Sequence, residues 1–224
     1  MRSPFKDLQE YFLKKWFFFI QILTIPANII FSCLLQLVVE RPPAFKTTHG
    51  MLIIANHQSK IDPFLISYHI GIRNILTTIP IRYPVDHKYI SKPFIGFCIR
   101  LLGGYDIGGN HMERLKKLVF TRNLFHRGYT VVLFPEGKIT RDSDMVDEFK
   151  RGASALFNEN YPVVFVRLTG LNTKHRFHFW KKSCTKLSYS VPLGSDVSRE
   201  KKIETMIEFF YITENNHKEN ICLQ

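Results

Sequence analysis

The sequence predicts an α/β protein with a mostly parallel central sheet flanked by helices, preceded by an apolar helical segment. Strand-like apolar runs alternate with helical stretches after residue 43, which is typical of a helix-flanked parallel sheet. Two of those runs end directly in polar residues, and residues 16–39 carry no charge. At 224 residues with 45% hydrophobic residues, the chain has enough apolar side chains for one core.

Five apolar runs have the composition and length of strands. The predicted strands lie at residues 51–56, 73–81, 129–135, 162–171 and 186–194. Five other stretches have helical spacing, with Pro63 suited to a first helical turn and Gly128 to a helix end. The predicted helices lie at residues 62–70, 91–104, 111–128, 148–161 and 198–216.

The uncharged segment at residues 16–39 is long enough for a membrane helix, which needs about 20 apolar residues. Three interpretations remain open. One is a single spanning helix with Lys14 and Lys15 on the cytoplasmic side. The second is a pair of helices in one leaflet with a break at Pro26, Ala27 and Asn28, and the third is a buried core helix. We favour the pair, because proline interrupts helices and polar side chains are costly at the bilayer centre.

The chain therefore divides into a membrane-associated helical segment, residues 1–43, and an α/β domain, residues 44–224. Its 31 basic and 19 acidic residues give a net charge of +12, which suits a polyanionic partner. Because of the apolar segment we expect that partner to be a phospholipid membrane, with no nucleic acid. Four scattered cysteines indicate free thiols in a reducing compartment. We expect a membrane location with the α/β domain facing the cytoplasm, and no metal site.

Two predicted strands end in candidate functional residues. His57 follows the strand at 51–56, and Glu136 with Gly137 follows the strand at 129–135. Active groups of open α/β sheets lie beyond the carboxyl ends of strands, so we expect one shared cleft.

Asp62 lies five residues after His57. On a continuous helix the two side chains would point about 140° apart, so contact requires His57 in a turn and Asp62 near the helix start. Asp62 also fits two ordinary roles, as the N-cap of that helix or as the acid of a capping box with Ser59.

A neutral imidazole can take a proton from a hydroxyl group at neutral pH. A carboxylate that accepts the Nδ1 hydrogen fixes the required tautomer and stabilises the imidazolium that forms. Because no serine or cysteine stands in a GxSxG-like motif, His57 would activate the hydroxyl of a substrate.

Four segments resemble, in order, the motifs of the glycerolipid acyltransferases of the lysophosphatidic acid acyltransferase type. "NHQSKIDPF" at residues 56–64 resembles the first motif, and "FPEGKITRD" at residues 134–142 resembles the third. "KYISKPFIGFCIRLLGGYDIGGN" at residues 88–110 is similar to the segment that carries the second, and "YPVVFVRLTG" at residues 161–170 to the fourth. The resemblance extends over residues 50–170.

The resemblance implies an enzyme that moves a fatty acyl group to a hydroxyl of a lysophospholipid acceptor such as lysophosphatidic acid. The donor would be a thioester, acyl-CoA or acyl carrier protein, as co-substrate, with no bound cofactor. The resemblance implies His57 as general base and Asp62 as its orienting partner, and it implies that Glu136 and Gly137 bind the acceptor. Residues 44–224 are then the acyltransferase catalytic domain.

Two departures from the family pattern concern the acceptor. The second motif usually ends Ile-Asp-Arg, with the arginine on the acceptor phosphate, and here it reads Ile107-Gly108-Gly109. Lys138 occupies the usual threonine position of the third motif, and Arg141 follows three residues later. We assign Lys138 and Arg141 to substrate binding, the alternative being a solvated basic face. A phosphate-free acceptor, such as an amino-acid-derived lysolipid, is then an alternative.

Two other functions stay open on the same scaffold. A phospholipid–lysophospholipid transacylase would need no thioester donor. A catalytically inactive membrane-binding protein would keep the fold and the basic surface, although the intact His57 and Asp62 argue against it.

Overall fold

The computed structural model describes residues 4–34, 38–40, 50–63, 65–67, 69, 74, 78, 80–140, 151–158, 161–169 and 186–212. These residues form a seven-stranded sheet with helices packed against it, so the predicted α/β class is confirmed. The strands are β1 (Val38–Val39), β2 (Leu52–Ala55), β3 (Ile81–Val85), β4 (Gly104–Asp106), β5 (Thr130–Leu133), β6 (Val163–Thr169) and β7 (Lys186–Tyr189).

The sheet is mostly parallel, as predicted. Its strand order is β1-β7-β6-β2-β5-β3-β4. The five strands from β6 to β4 are parallel to one another, whereas β7 is antiparallel to β6 and parallel to β1. β2 therefore lies inside the sheet between β5 and β6, and residues that follow β2 emerge among the carboxyl ends of its neighbours.

Seven α-helices are described. They are α1 (Pro4–Leu23), α2 (Ile25–Leu34), α3 (His87–Ile90), α4 (Pro93–Leu101), α5 (His111–His126), α6 (Arg151–Ser154) and α7 (Arg199–Ile207). A 3-10 turn (Ala155–Asn158) extends α6, a π-helical turn (Glu208–Ile212) extends α7, and further helical residues follow Asp62. Asn110 begins α5 with a complete capping box to Glu113, and Gly128, at φ 74°, follows its last turn.

The sheet has a hydrophobic core on each face. Alternate residues of β2 divide between them: Leu52 and Ile54 pack with one cluster, Ile53 and Ala55 with the other. This alternation follows from the two-residue period of a strand. Burial on both faces explains why the parallel strands appear in the sequence as continuous apolar runs.

The predicted strand at residues 73–81 is wrong in its position. Residues 74 and 78 are helical, and the strand at this place is β3, which begins at Ile81. The Thr78 hydroxyl donates to the Asn74 carbonyl oxygen at 3.1 Å, which is a bond to the preceding helical turn. The β-branched composition of the segment favoured a strand and gave no sign of this bond. The three-residue strand β4 was not predicted, because it is too short to show a period.

Helix α1 packs against the α/β domain. Phe17 belongs to the core, and the Arg82 guanidinium carbon lies 4.4 Å from the centre of its ring. The Gln21 side chain donates to the Ile81 carbonyl oxygen at 2.7 Å and accepts the Ile81 N–H at 2.9 Å. These contacts explain why a glutamine stands within the apolar run.

Helices α1 and α2 meet at Thr24, two residues before the break expected at Pro26, Ala27 and Asn28. Proline is tolerated in the first turn of a helix, so the interruption precedes Pro26. In the described part of the chain, no helix has both the length and the apolar character needed to cross a membrane. The apolar run ends in strand β1, and the division near residue 43 stays a prediction, since residues 41–49 lie outside the described residues.

Candidate active site

Asn56 fixes the point at which the chain leaves β2. Its side-chain amide donates to the Leu168 carbonyl oxygen at 2.8 Å and accepts the Leu168 N–H at 2.7 Å. The buried side chain thereby continues the hydrogen bonding of β2 onto β6 by one more residue. His57 comes next, so its backbone starts from a fixed position at the carboxyl edge of the sheet.

The structure brings His57 and Asp62 into contact. His57 Nδ1 lies 2.8 Å from Asp62 Oδ2, and the same oxygen accepts the N–H groups of Gln58 and Ser59, each at 2.7 Å. Asp62 therefore acts as the acid of a half-formed capping box and contacts the imidazole as well, so the capping role does not exclude the proposed catalytic one.

Asp62 is completely buried, whereas 18% of the His57 side chain remains exposed. Burial raises the pKa of Asp62, while the hydrogen bonds from His57, Ser59 and Gln58 oppose that rise. The hydrogen bond and the charge of His57 both favour the ionised form of Asp62. The geometry therefore suits a histidine that gains a proton during a reaction and then returns it.

An aromatic ring restricts His57. The Phe134 ring stacks on the imidazole, with the ring centres 4.2 Å apart and the planes inclined by 24°. Phe134 directly follows β5, the neighbour of β2. The stack holds one face of the imidazole, so ring rotation is limited from that side as well as by Asp62.

Glu136 joins the two loops of the site. Its Oε1 accepts the His57 N–H at 2.9 Å, and its Oε2 accepts the Thr140 hydroxyl. The Thr140 N–H in turn donates to the His57 carbonyl oxygen at 2.8 Å. Glu136 is buried and connects the loop after β5 with the backbone of His57, as the expected shared cleft requires.

The other predicted substrate-binding residues differ in where they lie. Gly137 is exposed and has φ 64°, in the left-handed region that favours glycine, and its N–H donates to the Phe134 carbonyl oxygen at 3.1 Å. Lys138 is exposed beside it. Arg141 lies outside the described residues.

Tyr83 supports the helix that follows Asp62. Its hydroxyl donates to the Pro63 carbonyl oxygen at 3.2 Å and contacts the Ser67 hydroxyl. Burial raises the pKa of Tyr83, so the phenol stays neutral and remains a donor. Strand β3 thereby fixes the first turn of this helix, and with it the position of Asp62.

A second His–Asp pair lies at the same edge of the sheet. His87 Nδ1 is 2.8 Å from Asp106 Oδ2, which joins the start of α3 to the end of β4. The Lys60 ammonium lies 5.6 Å from the centre of the Tyr89 ring, so α3 borders the turn between His57 and Asp62. Sequence reasoning missed this pair, because its members are 19 residues apart.

The departure at the second motif has a local physical reason. Gly108 has φ 89°, and a Cβ atom there would lie 2.6 Å from Glu113 Cβ. The Gly108 N–H donates to Asp106 Oδ1 at 2.8 Å, and the Gly109 N–H donates to Glu113 Oε2 at 2.7 Å. The turn therefore requires glycine at Gly108, where the family pattern has an acid, whereas a Cβ atom at Gly109, the position of the family arginine, would make only an ordinary contact with Glu113 at 3.7 Å.

Sequence reasoning also missed three supporting residues of the site: Tyr83, Phe134 and Thr140. Asn56, Phe134 and Thr140 were quoted within motifs without a role. A polar residue directly after a buried strand was the available signal for Asn56, whereas the contacts of the other three depend on neighbouring strands and loops.

Together these features define an α/β protein with a buried His–Asp pair at the carboxyl edge of a parallel sheet. The Acyltransferase family model matches residues 36–167, more than half of the chain, and includes both members of the pair. The chain therefore belongs to the acyltransferase family, which confirms the resemblance and the expectation of an acyl-transferring enzyme.

Among solved structures, the chain is similar to the crystal structure of the 1-acyl-sn-glycerophosphate (LPA) acyltransferase PlsC from Thermotoga maritima. The TM-score is 0.58 at 18% sequence identity, and the match covers 97% of this chain and 99% of that one. At this identity the likeness establishes a shared fold. No curated protein sequence matches the chain significantly.

Proposed function

We propose that the protein transfers a fatty acyl group from a thioester donor, acyl-CoA or acyl carrier protein, to a hydroxyl of a lysophospholipid such as lysophosphatidic acid. The observation that carries the proposal is the 2.8 Å contact between His57 Nδ1 and the buried Asp62 Oδ2. Family membership supports the acyl group, and the shared fold with an LPA acyltransferase supports the acceptor class.

His57 acts as the general base. Asp62 accepts the Nδ1 hydrogen, which leaves Nε2 to take the proton of the acceptor hydroxyl. The acceptor oxygen then bonds to the thioester carbonyl carbon and forms a tetrahedral oxyanion. When the oxyanion collapses, the C–S bond breaks and the leaving thiolate takes the proton from the imidazolium. The reaction needs no covalent enzyme intermediate.

The loop after β5 forms the opposite side of the site. Glu136 and Gly137 stay the proposed acceptor-binding residues, with Glu136 also holding the His57 backbone. Lys138, exposed next to them, supplies a positive charge for an acceptor or donor phosphate. Arg141 keeps the same proposed role.

The enzyme works at a membrane surface, with its catalytic domain facing the cytoplasm. Trp16, Phe19 and Leu23 of α1 and Ile30 of α2 are all exposed, an arrangement that suits a pair of helices lying in one leaflet. Water-soluble thioester donors would then meet lipid acceptors at the bilayer surface.

The test is an incubation of the purified protein with acyl-CoA or acylated carrier protein and a panel of lysolipids, followed by lipid mass spectrometry. The panel contains lysophosphatidic acid, a lysophospholipid with a larger headgroup and a phosphate-free lysolipid, and the His57→Ala protein is the matched blank. We expect diacyl product from lysophosphatidic acid, with one free thiol released per acyl group transferred.

Two outcomes would overturn the proposal. Product formed only when a phospholipid replaces the thioester would identify a transacylase. Equal product from the His57→Ala protein would remove the general base.

A further inference from the structure

Helix α4 exposes large apolar side chains to solvent. Phe94 is 79% exposed and Phe97 is 61% exposed, and Ile95 between them is also exposed. A group of exposed aromatic and aliphatic side chains on one short helix indicates an interaction surface.

Gly96 determines the rotation of α4. It is buried against Ile90, where a Cβ atom would overlap the Ile90 carbonyl oxygen. At 100° per residue, Phe94 points about 160° away from Gly96, and Phe97 lies within about 60° of Phe94. The close packing at Gly96 therefore directs both rings outward together.

The charges around these rings favour a negatively charged partner. Residues 93–101 contain no acid, and Arg100 is exposed. Lys92 at the start of α4 and Lys88 on α3 are exposed as well, and the chain as a whole carries +12. Aromatic side chains flanked by lysine and arginine suit the headgroup region of an anionic bilayer.

Helices α1 and α3 connect α4 with the proposed membrane-bound segment and with the active site. Gln21 of α1 donates to the Leu102 carbonyl oxygen at 3.3 Å, so α1 reaches the end of α4. Two residues upstream of α4 lies α3, whose Tyr89 meets Lys60 of the catalytic turn. Helix α4 is thus adjacent to α1 on one side and, through α3, is linked to the turn that bears His57.

We propose that α4 is a second membrane-insertion element, which places Phe94, Ile95 and Phe97 in the anionic leaflet that α1 and α2 contact. The inference rests on the membrane association proposed above and adds a specific contact to it. This contact holds the edge of the sheet that carries β4 against the bilayer, beside the turn that bears His57.

The experiment uses single tryptophans and vesicles of phosphatidylglycerol and phosphatidylcholine with brominated acyl chains. The two native tryptophans, Trp16 and Trp180, are replaced by phenylalanine, and Phe94→Trp or Val191→Trp is introduced. Val191 is the matched control, because it is 77% exposed and follows β7, near the opposite end of the sheet. A third protein keeps Trp16 alone and reports on α1.

We expect the lipid to quench most of the fluorescence of the Phe94→Trp protein and little of that of the Val191→Trp protein. Equal quenching of these two would overturn the inference. If Trp16 is quenched while the Phe94→Trp protein is not, α4 is excluded and the association through α1 stands. If neither is quenched, the proposed membrane association itself fails.

A second measurement compares the partitioning of the Phe94→Ser/Phe97→Ser protein and the Val191→Ser protein onto the same vesicles. We expect a fall of about tenfold or more for the first and little change for the second. Circular dichroism melts confirm that each variant is folded. Sedimentation of the wild type without lipid tests whether the apolar surface of α4 is covered by a second copy of the chain. A dimer that dissociates in the Phe94→Ser/Phe97→Ser protein would overturn the inference.

Discussion

Two His–Asp pairs lie at the same edge of the sheet and have the same contact distance. In each pair, Nδ1 of the histidine is 2.8 Å from Oδ2 of the aspartate. The pairs differ in their surroundings. Asp62 is completely buried, whereas the His87 side chain is 56% exposed and the Asp106 side chain 29% exposed. Distance alone therefore does not identify a catalytic pair.

The difference in burial changes what each carboxylate does. Burial raises the pKa of Asp62, and three donors on one oxygen oppose the rise. At Asp106, burial also acts to raise the pKa, but the hydrogen bonds from His87 and the Gly108 N–H outweigh it, and the pKa is lowered. Asp62 depends on the hydrogen bond from His57 to offset the cost of burying its negative charge. Asp106 is partly exposed to solvent, and its contact with His87 links the end of β4 to the start of α3.

The largest expected effect separates the two carboxylates. Asp62→Asn keeps an oxygen acceptor but removes the negative charge beside His57 Nδ1 that would stabilise the imidazolium formed in the reaction, and we expect kcat/KM to fall by about 10²–10⁴-fold. Asp106→Asn, the matched control, should change kcat/KM by less than about threefold. Steady-state kinetics with the same donor and acceptor measure both. Equal losses would show that the two pairs act in the same way.

A smaller effect concerns the scaffold beside each pair. Asn56→Ala leaves the Leu168 N–H and carbonyl oxygen buried without their side-chain partner, so we expect a loss of about 2–4 kcal/mol in unfolding free energy. Asn110→Ala, near the second pair, removes an exposed helix cap and should cost about 1 kcal/mol. Urea denaturation measures both, and the reverse ranking would contradict the account.

The smallest effect is a pH-dependent one at the second pair. The hydrogen bond to Asp106 raises the pKa of His87 above its usual value of 6.5, with Glu113 and Asp86 adding to the rise. The protonated pair therefore stabilises the fold fully below pH 6.5, and this contribution is lost as the pH rises through the raised pKa. The stabilising contribution of the pair also requires an ionised Asp106. This contribution is therefore lost as the pH falls through the lowered pKa of the Asp106 carboxyl group.

Thermal melts of the wild type and the His87→Ala protein measure this contribution. We expect the difference between their melting temperatures to be larger at pH 6 than at pH 9. A difference that grows toward pH 9 would show that the pair is stabilised with a neutral imidazole.

Local sequence patterns predicted most elements of the fold, because the parallel strands are continuous apolar runs and the helices carry clear start and stop residues. The strand at residues 81–85 was misplaced, since its β-branched composition favoured a strand from residue 73, whereas Asn74 and Thr78 are helical. Strand β4 is stabilised by its pairing with β3, which no pattern within three residues can show.

The two His–Asp pairs also show that a sequence pattern predicts contacts between near neighbours in the chain, and not contacts that depend on strand pairing. His57 and Asp62 are five residues apart on one turn, so the sequence allowed their contact to be predicted. His87 follows β3 and Asp106 is the last residue of β4, and only the pairing of β3 with β4 brings them together. The role of Glu136 in holding the His57 backbone likewise depends on β5 lying next to β2.

The measurement that tests the account most directly compares acyl transfer by the His57→Gln and His87→Gln proteins at equal concentration. Glutamine keeps a polar side chain of similar size and cannot act as a base. We predict that His57→Gln loses at least about 10²-fold in kcat/KM while His87→Gln stays within about threefold of the wild type. Substantial turnover by the His57→Gln protein, or a loss confined to the His87→Gln protein, would contradict the assignment of the buried pair.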